Sequence, residues 1–522
     1  MDRRFADRSS LRCRERNPPV QHDPLIRFVD VDPMTASASR LLIRPMIAAC
    51  ALALAACSIP PKPDRPALRD EAPLAGVAVA IGAGSTEWPD PQWWKHYADA
   101  QLDRLIEQAL AGAPTLDEAH KRLGTALAAV EVARAQGGLS SQANAQVQRL
   151  RLSENGLIPP QFLGFTWYNQ GDLSLQFQYD FDFWGKTRAA VAAAVDDARA
   201  AEAERSAASL VLTAAVADTY FAWQADQAHL ALADDSTGVL QRLRTLADKR
   251  VARGIDSPDL VHQADAQLAS VREMQAAYAG SAKIRLAALA GLLGVAPADL
   301  PKLEARALPS VDAALPGSVG LDLIARRPDI AASRWRVEAA LRRVDEARAE
   351  FYPDISLGAM VGLQSLDLDK LLNAGSRTAA IGPALHLPIF GRGQLKAGYG
   401  ASQAQLDAAA AQYDATVVDA ARDVATQALT LAQVDARRNE RNGQLAATRA
   451  LESTATARVR QGLVDDRSLL GAQVQVLDQR DALLTLDAQA LSAQIALTKA
   501  LGGGYRLDGD PLAASDADSP IK

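Results

Sequence analysis

Leu173-Ser174-Leu175-Gln176-Phe177-Gln178-Tyr179-Asp180-Phe181-Asp182-Phe183 alternates without a fault for eleven residues. Side chains of a strand point to opposite faces in turn. One face therefore carries Leu, Leu, Phe, Tyr, Phe and Phe, and the other Ser, Gln, Gln, Asp and Asp. A tilted strand that crosses a bilayer needs about nine to eleven residues, apolar toward lipid and polar toward a watery lumen. Gln176, Gln178, Asp180 and Asp182 are the candidate lumen-facing residues. Alone, such a strand also fits half of an ordinary sandwich, so its surroundings decide.

A second alternation sets Ile355, Leu357, Ala359, Val361 and Leu363 against Ser356, Gly358, Met360, Gly362 and Gln364. A weaker one runs from Ile381 to Ile389, where Pro383 and Pro388 are at odds with a central strand. The earliest, around Ala145 to Leu152, loses phase between Val147 and Leu150. These readings give two β hairpins, at about 143–183 and about 354–389.

The hairpins belong to a duplication. Arg122, Ala126, Leu127, Val130, Ala133, Arg134 and Ala135 recur as Arg336, Ala340, Leu341, Val344, Ala347, Arg348 and Ala349, at a spacing of 214. Trp184-Gly185-Lys186 pairs with Phe390-Gly391-Arg392, and Arg250-Val251-Ala252-Arg253-Gly254 with Arg458-Val459-Arg460-Gln461-Gly462. Each half reads as a helix, a β region and two long helices, the latter at about 187–300 and about 395–500. Thr187 to Arg253 holds no proline and one glycine, Gly238. At ~1.5 Å per residue such a helix approaches ~100 Å. From Asp466 onward Leu470, Leu477, Leu484 and Leu491 mark a heptad seam, with Val474, Ala488 and Ile495 between, so supercoiled packing is expected. A soluble coiled-coil rod is the competing reading, and the strands argue against it. Four strands cannot close a membrane barrel, because the smallest use eight and open edges in lipid leave backbone groups unpaired. The chain is expected to pool strands with its copies; three copies leave a lumen where two do not.

The three cysteines, Cys13, Cys50 and Cys57, all fall in the first 57 of the 522 residues, so the main body has no disulfide framework. Residues 1–33 are read as an upstream overextension before a translated start at Met34. Residues 34–56, basic at Arg40 and Arg44 and then apolar from Pro45 to Ala56, form a signal peptide. It ends in Leu54-Ala55-Ala56-Cys57, which resembles a lipoprotein box; Cys50 fits loosely, but Arg44 leaves it almost no apolar run. Cys57 is the expected lipidation site, carrying diacylglycerol and an N-acyl chain, and two or three chains anchor stably. Ser58 after the cysteine, by resemblance to bacterial lipoproteins, permits sorting to the outer membrane. The body divides into a first repeat with the lipidated N-terminus (57–315), a second repeat (316–503) and a polar tail (504–522).

Composition narrows the function classes. Apolar residues make up 48% but aromatics only 5%, which favours thin, closely packed helices over a thick globular core. A net charge of −6 without a clustered basic face gives no argument for nucleic acid. The six histidines, His96, His229 and His386 among them, have no ligand spacing and read as surface or packing residues; no metal or other cofactor is expected. Gly391-Arg392-Gly393 completes no nucleotide fingerprint, and its counterpart Gly185-Lys186 marks it as a strand-to-helix corner. With no nucleophile elbow and no His-Glu-x-x-His, no enzymatic role is expected.

Leu323-Ile324-Ala325-Arg326-Arg327-Pro328-Asp329-Ile330, Asp182-Phe183-Trp184-Gly185-Lys186, Leu292-Leu293-Gly294 and Leu501-Gly502-Gly503-Gly504-Tyr505 resemble motifs of the TolC-like outer-membrane efflux channels, in their lipoprotein (NodT or OprM-like) branch. The family usually has Trp where this chain has Tyr505. The resemblance, from Cys57 to Tyr505, implies a mostly α fold with a membrane β-barrel section. It further implies a homotrimer with twelve strands in the outer membrane and twelve helices continuing as a periplasmic tunnel. An adaptor (membrane fusion protein) and an inner-membrane pump, of the RND, MFS or a related class, are the implied partners. The cargo class stays open between small toxic compounds and, as in type I secretion, polypeptides. A non-channel periplasmic adaptor lipoprotein is the further alternative; it would have β-rich domains and no duplication.

The helix tips carry turn chemistry of their own. Gly254 stops one helix, Ser257 caps the next and Pro258 stands at its first position; Gly462 and Leu463-Val464-Asp465-Asp466 repeat the stop and start. By the resemblance, Arg253, Gly254, Ile255, Gln461, Gly462 and Leu463 meet the adaptor. The acidic ring of closed tips in the family falls here on Ser468 and Gly471 and is not reproduced. Asp465, Asp466 and Arg467 are the nearest charges, and are either gate contacts between subunits or a solvated helix start. Phe162, Phe165, Trp167 and Tyr168 read as an interfacial belt or an outer constriction.

Overall fold

The computed structural model describes residues 59–74, 88–155, 160–311, 319–388 and 391–506. The upstream segment, the signal peptide, Cys57 and the tail beyond Arg506 lie outside the described residues. Met1–Pro60 is one unit and Pro61–Lys522 another, and every element below belongs to the second.

In chain order the elements are α1 (Ala100–Gly112), α2 (Pro114–Gln136), β1 (Leu139–Arg151), β2 (Trp167–Phe181), α3 (Lys186–Ala252) and α4 (Asp259–Leu293). The second half follows with α5 (Val319–Arg326), α6 (Pro328–Ala349), β3 (Asp354–Ser365), β4 (Arg377–His386), α7 (Arg392–Arg460) and α8 (Asp466–Ala500). The two long helices, α3 with 67 residues and α7 with 69, each span roughly 100 Å at ~1.5 Å per residue. Both pack along two shorter helices: α3 along α2 and α4, and α7 along α6 and α8.

Each repeat closes on itself. The end of α4 meets the start of α2, where a Cβ at Gly294 would stand 2.7 Å from the Gly112 carbonyl oxygen and 2.8 Å from the Pro114 ring. The end of α8 meets the start of α6 in the same way, and a Cβ at Gly502 would overlap the Arg326 carbonyl. Both glycines have positive φ, +72° and +91°, so only glycine fits. The two motifs most specific in the sequence therefore face one another. Arg327 donates to the Ala500 carbonyl at 2.9 Å and forks onto Asp329 at 2.6 and 3.0 Å, tying the α6 start to the α8 end.

Alanine lets these helices approach closely: Ala198, Ala339 and Ala420 are fully buried. One apolar cluster runs along α6, α7 and α8 through Ile330, Val344, Val417 and Leu497. Another joins α1, α3 and α4 through Leu102, Ile106, Tyr220 and Leu289, and reaches Leu491 and Ile495 of α8. The two repeats meet along α3, which packs on α6 near the sheet and on α8 further away. Acidic Asp196, Asp197 and Glu204 on α3 pair there with Arg342, Arg343 and Arg336 on α6. A buried polar knot holds the segment after α4: Tyr220 donates to Asp99 at 2.6 Å, and Gln101 and Gln224 both donate to the Glu304 carbonyl at 3.1 Å.

The sheet is antiparallel in the order β1-β2-β3-β4, which leaves β1 and β4 as open edges. β1 starts at Leu139, ahead of the expected 143, and keeps phase throughout. Its alternation is hard to read because Ala143 and Ala145 are small, while Leu150 stands on the polar face opposite Tyr168. β4 ends at His386, before Leu387 and Pro388. Pro383 is tolerated on it because a strand on the edge of the chain's sheet can lack a donor.

Candidate conduit wall and its distal tips

The registers fix which residues share a face, because directly paired residues of neighbouring strands point the same way. Leu175 pairs with Ala143 and Val361, and Val361 with Ala379. Tyr179 pairs with Leu139 and Leu357, and Leu357 with Pro383. The odd-numbered positions thus form a continuous apolar band across all four strands. On the other face, Gln142, Gln176 and Met360 pair in a row, as do Ser140, Gln178 and Gly358. Gln176, Gln178 and Asp180 stand on this polar face as expected.

Asp182 does not line it. It follows the end of β2, and its carboxylate accepts the backbone N–H groups of Thr187 at 3.2 Å and Arg188 at 2.9 Å. It caps the start of α3, where a negative charge offsets the helix dipole. The sequence continues its alternation past the point where the strand stops. Next to it, Trp184 stacks on Tyr352 at 4.6 Å and donates to the Pro353 carbonyl at 2.9 Å, which clamps the end of β2 to the start of β3.

At the far end the two helix hairpins turn in the same manner. Gly254 and Gly462 have φ of +71° and +70°. Ile255 N–H donates to the Arg250 carbonyl, and Leu463 N–H to the Arg458 carbonyl, both at 2.9 Å. Arg253, Gly254 and Ile255 form one exposed tip, and Gly462 and Leu463 the crown of the other beside Gln461. The Asp259 N–H reaches Ser257 Oγ at 3.4 Å, and Pro258 has helical angles, so the start signal of α4 acts where it was expected.

Asp465 and Arg467 do more than start a helix. Arg250 forks onto Asp256 at 2.6 and 3.1 Å and also donates to Asp465 at 3.1 Å. Arg467 stands 3.6 Å from Asp256. Four charges from α3, the α3–α4 turn and the start of α8 thus bridge the two hairpins within one chain. Asp465 makes no capping bond to its own helix, and Asp466, in the first turn of α8, is exposed. The hydrogen bond from Arg250, then the Arg250 and Arg467 charges, hold the Asp256 carboxyl below the usual carboxylate range; the same bond raises Arg250.

The sequence reading missed Arg250 and Asp256, although Arg250 was visible as one half of a repeated pair. It also missed what His229 does: its Nδ1 lies 2.6 Å from an Asp481 oxygen, and its ring stacks on Tyr278 at 4.5 Å, joining α3, α4 and α8.

A sequence profile of the outer membrane efflux protein family matches residues 105–295 and 321–503, one stretch in each repeat. The chain belongs to this family. It is 34% identical over 475 residues to the multidrug resistance outer membrane protein MdtP of Shigella flexneri, covering 90% of this chain and 97% of that one. MdtQ of Escherichia coli O6:H1 is 34% identical over 466 residues, covering 87% and 96%. The crystal structure of VceC from Vibrio cholerae matches with a TM-score of 0.70 and 35% identity, over 80% of this chain and all of that one. The outer-membrane channel OprN matches with a TM-score of 0.75 and 25% identity, over 86% and 99%. This chain is accordingly an outer-membrane efflux channel subunit whose helices extend into the periplasm. The β3–β4 connection lies at the end of the sheet away from the helices.

Proposed function

We propose that three copies close a twelve-stranded barrel whose lumen continues between the helices as a passive conduit for small toxic compounds. The observation that carries this is the sheet itself: an apolar face, a polar face and two open edges. Edges cannot stay unpaired in lipid, two copies would give a side-chain-filled interior, and three leave a lumen. Relatives whose names specify multidrug resistance favour small molecules over polypeptide cargo. The channel has no catalytic step of its own; an inner-membrane pump, of the RND, MFS or a related class, supplies energy through a periplasmic adaptor.

The adaptor docks on Arg253, Gly254, Ile255, Gln461, Gly462 and Leu463, where Ile255 and Leu463 are both more than half exposed. The charged cluster of Arg250, Asp256, Asp465 and Arg467 restrains the tips, and Asp466 is left for contact with a neighbouring copy. Cys57 carries the acyl anchor. It lies four residues before Pro61 in sequence, and the Pro61 carbonyl accepts from Tyr399, near the sheet end of α7.

Sizing with single-channel recording on the purified protein tests the proposal. A trimer with a steady ohmic pore supports it, and a monomeric, non-conducting rod rejects it.

A further inference from the structure

All the arginine and lysine side chains of the four strands, Arg149, Arg151 and Arg377, sit on the apolar face and within three positions of the outer end. The polar face of the strands has Asp172, Asp180 and Asp354 but no Lys or Arg. A charge on the lipid face costs several kcal/mol at the bilayer midplane but ~0–1 near the interface, so this height is where arginines are tolerated. All three are exposed. Arg149 lies over the Trp167 ring at 5.7 Å, Arg151 reaches Glu154 only at 3.8 Å, and Arg377 has no acidic partner among the described residues. The other charges of the outer loops are Asp369 and the Lys370–Asp367 pair, at 2.7 Å.

Arg149 and Arg151 are on one open edge of the sheet and Arg377 is on the other. In the closed barrel proposed above, on which this inference rests, β4 of one copy meets β1 of the next. The internal duplication supplies a register for that seam. Within the chain the second strand of the first repeat, β2, pairs with the first strand of the second repeat, β3, with Gly171 opposite Ser365. Transposed through the repeat spacings, this sets Arg377 opposite Arg151 of the next copy. The two β hairpins differ in register by two residues; the connection before β3 is two residues longer than that before β1, and placing the slip there sets Arg377 opposite Arg149 instead. Either way arginine faces arginine across the seam. Like charges directly opposite destabilise a sheet, unless an anion lies between them. A phosphate accepts from two guanidinium forks at once.

We propose that each subunit seam, at its outer rim, binds a phosphorylated lipid headgroup of the outer leaflet through Arg149, Arg151 and Arg377. The acyl chains of that lipid lie on the apolar band below, and Trp167 sits at the interface beside the phosphate.

The test is native mass spectrometry of the full-length protein from phosphatidylcholine nanodiscs doped with bisphosphorylated lipid A, with dephosphorylated lipid A as comparison. The expected result is retention of one lipid A per seam and loss of the dephosphorylated form. Arg151→Gln with Arg377→Gln should weaken retention by about tenfold or more, the loss of charge-assisted hydrogen bonds, while trimer mass and conductance persist. Should the double variant not assemble, Arg377→Gln alone gives the same readout. Unchanged retention in these variants, or equal retention of both lipids, overturns the proposal and leaves the channel reading standing. Displacement of lipid A by inorganic phosphate alone also overturns it, because the site would then serve a free anion. A wild-type protein without trimer or conductance overturns the channel reading itself.

Discussion

The two hairpin tips share a backbone and differ in charge. Each has an arginine four residues before a left-handed glycine and an aliphatic residue after it: Arg250, Gly254 and Ile255 in one, Arg458, Gly462 and Leu463 in the other. Two residues past the glycine the first has Asp256 and the second Val464. Arg250 consequently holds an acid of its own turn and reaches Asp465 across the gap, whereas Arg458 has no ion pair among the described residues. Duplication kept the fold of the turn; Asp256 in place of Val464 made one tip a clamp, and Asp465 in place of Ser257 made the other its target. Arg250 thus makes the hydrogen bonds of the ionic join between the two tips, beside the longer Arg467–Asp256 contact.

The largest effect is expected from breaking that asymmetry at its source. Arg250→Ala frees Asp256 and Asp465 together and should raise single-channel conductance severalfold, while Arg458→Ala leaves it near wild type; equal responses would remove the distinction between the tips. Asp465→Ala with Asp466→Ala removes one arm of the clamp and should raise conductance less than Arg250→Ala. No change would sink the gate role of this cluster.

Acid probes the same contact. Because Asp256 titrates below its unfolded value, its contribution is present above the ordinary carboxylate pKa of ~3.9 and is lost as pH falls through the lowered value. Conductance should therefore hold from neutral pH down to about 4 and rise only below that. A rise near pH 6 would point to another group. The smallest effect is the shared one: Gly254→Ala and Gly462→Ala should each cost about 1 kcal/mol in hairpin stability, since both force a side chain into the left-handed region. A marked difference between them in thermal unfolding would show that the turns are not equivalent.

How far the sequence speaks depends on whether a feature is local. β2 was legible because its apolar and polar faces are chemically far apart. β1 was hardly so, because two residues on its apolar face, Ala143 and Ala145, read as neutral. The long helices announced themselves by lacking breakers, and the glycines of the tips by their place between helix stop and start. Contacts between distant segments were invisible. Nothing near Asp182 in sequence says that the strand ends and its carboxylate turns to cap α3. The Arg250–Asp465 and His229–Asp481 pairs join residues more than two hundred positions apart. The meeting of the Arg-Arg-Pro-Asp motif with the glycines after α8 was likewise hidden, although each stands out in the sequence by itself.

The central claim is that open edges β1 and β4 are completed by other copies, and cysteine cross-linking across that seam tests it most directly. The transposed register puts Ile381 opposite Val147 of the next copy, or opposite Ala145 after the two-residue slip. Ile381→Cys combined with Val147→Cys, or with Ala145→Cys, should give an oxidation-dependent ladder ending at the trimer for one of the two pairs. Monomer alone in both, from membranes in which the wild type conducts, would contradict closure of the barrel between copies.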